Sequence, residues 1–365
     1  MSEVRPLSAD DVGAVTALYY RILRHSKAPP PAALSAYFRA FYLDGPYRDP
    51  DIPALVHVAD NGHVNGFVGI HSVPYLLGER RLRAAFCGAL MSEDHESDPL
   101  AGARLLKAFV SGPQDISLSE TANVISETMW TKLRGRTIPG YSFEWFRVFR
   151  PAGFAAALAG EKAALARHLA PITRFIDGKL SGRPSLGRFS PATAPAALTV
   201  DDADFASFAD AVRKLSADKQ ARPDWENGYL DHVLANAVIK PAYGQAHMGL
   251  VKTKSGEPIG AFLYHLKWDG IGRVLQVMAI PGRLGPVLDL MFAHALEHGA
   301  AGLRGRSSPD LIEAATGRYM IMATISSTVI HAKDPALTEP FLSGNCMLTG
   351  LAGERWNRFF GGDFE

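Results

Sequence analysis

Two glycines four residues apart recur in both halves of the 365-residue chain in the same setting, and this repetition limits the fold more than any other feature. The stretch "ALVHVADNGHVNGFVGIHSVPYLL" alternates apolar and polar residues and is cut by Asp60-Asn61-Gly62, a hairpin signal that wants positive φ at the turn. "LVKTKSGEPIGAFLYHL" can be laid on it so that Gly256 matches Gly62 and Gly260 matches Gly66. The order continues in parallel. "RLRAAFCGALMS" reads as a buried strand and "PLAGARLLKAFV" as a helix, and "RVLQVMAIPGRLGPVLDLMFAHALEHGA" repeats strand, turn and helix. The strand and helix "DISLSE" and "TANVISETMWTKL" are matched by "AGLRGR" and "SPDLIEAATGRY". The expectation is an α/β (α+β) protein of two copies of one domain, each a mixed central sheet flanked by helices, at 1–155 and 198–365.

Residues 156–197 are rich in Gly, Pro, Ser and basic residues and read as an interdomain linker, with Leu165, Leu169, Ile172 and Ile176 spaced for a short amphipathic helix. At the start, Ser8 is an N-cap and Val12, Val15, Leu18, Tyr19 and Ile22 mark an amphipathic helix. A second helix, "AALSAYFRAFYL", carries Tyr37, Phe38, Phe41 and Tyr42, too many aromatics for a solvent face; it reads as a packed helix or a pocket wall. The C-terminal "GNCMLTGLAGERWNRFFGGDFE" reads as a last strand, a turn and a docking tail, with Trp356 and Phe359 as packing residues.

A net charge of +1 gives no field that would select DNA or an anionic membrane. The chain lacks ~18 uninterrupted apolar residues and a signal-peptide pattern at its start, so stable membrane insertion is not expected. Two cysteines, Cys87 and Cys346, exclude a disulfide framework and fit a reducing, cytoplasmic setting.

The segment "SETANVISETMWTKLRGR" joins these elements to a known family. Asn123, Ser126, Trp130 and Gly135 reproduce the spacing of the strand, helix and glycine that close the GNAT N-acetyltransferase fold, where Asn, a small residue, Tyr and Gly usually stand. With the "RPL" opening at Arg5 to Leu7, two helices, the hairpin and the long "AAFCGALMS" strand, the first half resembles that superfamily over about residues 3–150, and the second half resembles it more faintly. The whole looks like a tandem-GNAT protein. The resemblance implies an acyl-CoA co-substrate, acetyl-CoA first, and transfer of the acyl group to a primary amine of a small molecule.

The resemblance also implies site residues. The backbone from Leu90 through Met91 to Ser92 would receive the oxyanion, and the turn before the next helix would hold the CoA pyrophosphate on backbone N–H groups. In the first half that turn is Ser97 to Gly102, followed by Ala103; only Gly102 fits the family pattern, and Asp98 would sit beside a phosphate. In the second half it is Gly282 to Val287, with Arg283 and Gly285 as the fitting residues. For the proton, Glu120 is the first candidate and Glu93 the second, with Asp94 and His95 nearby and Asn123 leading the helix. Trp130 replaces the family's acid tyrosine, and an indole cannot protonate a thiolate.

Other chemistry finds less support. His294 and His298 have the i, i+4 spacing of paired metal ligands, but the sequence supplies no third ligand, so no metal is expected. Nucleotide-loop and serine-elbow motifs do not occur. Three readings stay open: an acyl-CoA transferase, a GNAT-like transferase using aminoacyl-tRNA or serving polysaccharide acylation, and a non-catalytic ligand-binding protein. A homodimer is compatible with each.

Overall fold

The computed structural model describes residues 2–93, 98–161, 173, 177–178, 184–191 and 196–364. Asp94, His95 and Ser97, and Leu165, Leu169, Ile172 and Ile176 of the expected linker helix, lie outside the described residues. In chain order, β1 (Glu3–Pro6), α1 (Val12–Ile22), α2 (Ala32–Tyr42), β2 (Leu55–Val58), β3 (Val64–Leu77) and β4 (Arg80–Ser92) open the fold. Then come α3 (Ala101–Val110), β5 (Ile116–Ala122), α4 (Val124–Lys132), β6 (Arg136–Thr137), β7 (Phe143–Val148) and α5 (Pro151–Gly160). The second half holds β8 (Leu198–Asp202), α6 (Phe205–Ser216), β9 (Ala221–Pro223), α7 (Tyr229–Ala237), β10 (Gln245–Thr253), β11 (Pro258–Leu266) and β12 (Ile271–Ala279). It closes with α8 (Leu284–Glu297), β13 (Gly302–Arg306), α9 (Pro309–Ala314), β14 (Ile321–Thr324), β15 (Ser327–Ala332) and α10 (Glu339–Leu342).

The repeated glycines have a shared physical cause. Gly62 and Gly256 turn their hairpins at φ +82 and +85. Four residues on, a Cβ at Gly66 would come within 2.9 Å of the Leu105 side chain of α3, and one at Gly260 within 2.3 Å of Val287 on α8. Each glycine therefore lets a helix lie close against its sheet.

The strands form two mixed sheets, ordered β1-β2-β3-β4-β5-β15-β6 and β14-β7-β13-β12-β11-β10-β8, with β9 pairing β3 beside the first. Each contains one parallel pair inside antiparallel neighbours, β4 with β5 and β12 with β13. The halves exchange strands. β7, from the first half, pairs with β13 (Val148↔Gly302 to Glu144↔Arg306) and with β14. β15, from the second half, pairs with β5 (Ala332↔Ile116 to Ser327↔Ala122) and with β6. A cut of the chain at residue 155 therefore does not separate the two sheets, because each half completes the other's ladder. The expected last strand near Cys346 is only an isolated bridge to Ala221; β15 precedes it, and the tail beyond runs through a 3-10 turn (Gly350–Ala352) and further turns.

The core crosses the same boundary. Phe86, Ile116 and Leu118 of the first sheet share one apolar cluster with Phe208, Leu230 and Leu263 of the second half and with Leu348 and Trp356 of the tail. Trp130 is fully buried, packed edge-on to Phe109 at 5.9 Å, and is a core residue.

One cation bolts the sheets together. Arg306, at the end of β13, donates to the carbonyls of Glu120 (3.0 Å) on β5, Tyr141 (2.8 Å) and Ser326, and to the Thr328 hydroxyl (3.0 Å) on β15. Burial lowers its pKa to about 10, which still leaves it charged at neutral pH. Arg306→Met strips these carbonyls of their donor and is expected to cost about 3–5 kcal/mol of unfolding free energy by urea titration. An unchanged midpoint would show that the apolar core alone holds the sheets.

Candidate active site

The site begins as a defect in β4. Its ladder with β3 shifts register between Gly69↔Gly88 and Phe67↔Met91, so Ala89 and Leu90 stand opposite Val68 alone. This is a β-bulge, and Ala89 takes φ +47, a conformation costly for a residue with a Cβ. β4 and β5 pair in parallel only from Ala84↔Ile116 to Phe86↔Leu118. Past the bulge the two strands part. The α4 N-terminus stands at the far side of the opening, with Asn123 as N-cap accepting from the Ser126 N–H at 2.8 Å.

A cavity of about 450 Å³ fills the gap. β4 contributes Cys87 to Leu90, and β5 and α4 contribute Ser119, Thr121, Asn123 and Ser126. Tyr19 and Arg24 come from α1 and its end, and Glu354, Asn357 and Phe359 from the tail. The two copies differ sharply here. In the second half the residues from Cys346 to Thr349 lie against β12, with Leu351 donating to the Gln276 side chain at 3.1 Å, and they leave about 60 Å³.

The same tail then lines the first opening. Glu354 is fully buried, and its Oε1 accepts from the Glu120 N–H (2.8 Å) and the Thr121 hydroxyl (2.9 Å). In return the Glu354 N–H donates to Glu120 Oε2 at 3.1 Å. Among the described residues Glu354 Oε2 has no hydrogen-bond partner, and it lies 2.8 Å from where a Cβ on Gly88 would stand, so the missing side chain leaves the carboxylate its room. Burial, reinforced by the nearby Glu120 charge, raises the Glu354 pKa to about 7. The tail is pinned by Lys240, whose buried ammonium donates to the carbonyls of Asn357 and Phe360, both at 2.7 Å; burial lowers its pKa to about 7.

His71 separates this cavity from a second of about 310 Å³. Its ring stacks on Phe86 at 5.3 Å, and burial drops its pKa to about 4, so it is neutral at pH 7. The second cavity is walled by Tyr37 and Phe41 of α2, Tyr47, Tyr229 and His232 of α7, and Trp356. The aromatic face of α2 thus both packs and forms a pocket wall.

The residues singled out from sequence are dispersed by the structure. Leu90 and Asn123 line the cavity. Met91 is buried in the core beneath α1 and α2. Ser92 lies against the start of α3, its Oγ 3.3 Å from the Cβ position of Gly102, with Ala103 next along. Glu120 is wholly buried off the cavity wall, bonded to the Glu354 peptide, with Arg355 Nε 3.5 Å from its other oxygen, too long for a full hydrogen bond. Glu93 is paired with Arg21, which holds its pKa low, and is likewise off the cavity wall. Asp98 is engaged by Arg104. Around Gly285 the space is taken by the Arg318 guanidinium, which is doubly bonded to Asp289 (2.8 and 2.7 Å), while Arg283 caps α8. Glu354 escaped the sequence reading because no local pattern distinguishes it from any other tail carboxylate.

No protein-family model and no curated protein matches the sequence. Solved structures do. A GCN5-related N-acetyltransferase from Anabaena variabilis superposes with TM-score 0.59 at 10% identity, covering 92% of this chain and 73% of its own. The fold is that of the GCN5-related N-acetyltransferases. A second such enzyme, from Kribbella flavida, gives TM-score 0.53 at 13% identity over 91% of this chain and 71% of its own. The Saccharomyces cerevisiae N-myristoyltransferase, solved with bound myristoyl-CoA, gives 0.53 at 10% identity over 97% and 84%. In the GNAT fold of this chain, the parted pair β4 and β5 is the open copy and β12 with β13 the filled one.

Between its ordinary value of 4.5 and about 7, folded Glu354 keeps a proton that the unfolded chain has released. Its contribution to stability therefore falls as pH rises through that window and levels off above it. Glu354→Gln, neutral and nearly isosteric, is expected to flatten the dependence in urea unfolding at pH 5 and pH 8; equal slopes for both proteins would refute the protonated carboxyl.

Proposed function

We propose that the protein is an acyl-CoA-dependent N-acyltransferase whose site is the parted β4 and β5 of the first half. The observation that carries the reading is the Glu354 carboxyl, buried in that opening with one oxygen unpartnered among the described residues and a pKa near 7. A general base works best when its pKa lies near the working pH. The acceptor is a primary amine on a small molecule with an aromatic or apolar body, held in the aromatic second cavity next to His71. Acetyl-CoA is the first donor to test.

In this mechanism the amine nitrogen attacks the thioester carbonyl, a C–N bond forms and the C–S bond breaks. Glu354 takes the proton that the amine must lose, directly or through water. The backbone of Ala89 and Leu90, outside the β5 ladder, faces the developing oxyanion. The departing thiolate, with a reference pKa around 8.5, needs little protonic help, which fits a core position for Trp130. Neutral His71 forms the wall between acceptor and donor and adds no charge to repel an ammonium.

The test is release of free CoA on mixing with acetyl-CoA, or longer acyl-CoAs, and a panel of arylalkyl amines. Glu354→Gln should lower kcat/KM by roughly 10²–10⁴ with little change in CoA affinity, and the acid limb near pH 7 should vanish. Full activity in that variant, or no turnover with any acyl-CoA, would overturn the assignment.

A further inference from the structure

The second half carries a cluster of metal-ligating side chains on the opposite side of its sheet order from the strand exchange. His294 and His298 sit in the last turn and at the C-cap of α8, and the tertiary fold brings Asp202, from the edge strand β8, to meet them. One ligand atom from each lies within 4.8 Å of the other two. His294 Nε2 is 3.1 Å from Asp202 Oδ1. Two ligands of a tetrahedral ion at ~2.0 Å stand about 3.3 Å apart, so the pair needs almost no movement to share one.

The remaining ring nitrogens are already oriented. His298 Nδ1 bonds the His294 carbonyl at 2.8 Å, which makes it the N–H donor and leaves Nε2 as a lone-pair donor. His294 Nδ1 meets the Tyr264 hydroxyl at 2.8 Å, so its Nε2 faces Asp202 with a second hydrogen bond fixing the ring. Outer partners of this kind hold liganding histidines in metal sites. A third imidazole, His247 on β10, stacks on Tyr264 at 4.9 Å and lies 4.7 Å from the His298 ring. The cluster also stands at the negative end of a 14-residue helix, where a cation is favoured.

We propose that Asp202, His294 and His298 form a site for a borderline divalent metal ion, Zn²⁺ first among them, with the fourth position open to solvent and His247 beside it. Two imidazoles and a carboxylate are the donor set that such ions select over Mg²⁺ or Ca²⁺. The expectation from sequence was no metal, because the third ligand lies 92 residues from the nearer histidine in the chain. An ion here would tie the edge strand β8 to α8.

The experiment uses untagged, EDTA-stripped full-length protein titrated with ZnSO₄ by calorimetry, with CoCl₂ absorption reporting geometry. Expected is one Zn²⁺ per chain at micromolar or tighter affinity, four-coordinate Co²⁺ bands, and a rise in melting temperature with added zinc. Asp202→Asn, at an exposed position, and His298→Ala should each weaken binding roughly tenfold or more, with metal-free melting unchanged, while the exposed His25→Ala should bind as the parent does. Absence of saturable binding, or undiminished affinity in both site variants, would overturn the proposal.

Discussion

The Arg306 guanidinium and the strand exchange it fastens are the constraint on which the rest depends. β7 leaves the first half to complete the second sheet, and β15 returns to complete the first. Between them lies a buried cation whose donors satisfy carbonyls from β5, from the segment before β7 and from the segment before β15. Removing a charge from water is costly unless hydrogen bonds compensate it, and the partners of the two terminal nitrogens of Arg306 come together only when both sheets are in place. The arrangement makes assembly of the two halves mutually conditional.

That conditional assembly positions the tail. Because the sheets share one apolar cluster, the segment after α10 passes from one strand opening to the other. It fills the β12/β13 opening with its own backbone and side chains, then lays Glu354 into the β4/β5 opening. The reciprocal hydrogen bonds between Glu120 and Glu354, each backbone N–H donating to the other's carboxylate, fix that placement. The asymmetry between two copies of one domain is thus produced by a single segment that can close one cleft only by furnishing the other.

The fold was legible because its signals are local. Gly62 and Gly256 report a turn, Gly66 and Gly260 a close helix, and the run from Asn123 to Gly135 a helix capped at both ends, all within a few residues of each other. The site was less so. Glu120 and Glu93 were reasonable from strand position, yet one is turned into a peptide clamp and the other into an ion pair with Arg21. Which face a carboxylate presents, and what meets it there, depends on segments more than two hundred residues away in the case of Glu120.

The amino-acid sequence by itself determined the repeated mixed α/β plan and the core positions, because hairpins, helix caps and apolar periodicity are set by neighbours along the chain. The exchange of β7 and β15, the larger cavity at the first opening than at the second, Glu354 in its wall and the meeting of Asp202 with His294 and His298 were decided only by tertiary structure. The physical reason is common to all four. Each rests on burial and hydrogen bonding between residues far apart in the chain, whose energies exist only once the two sheets have closed on each other.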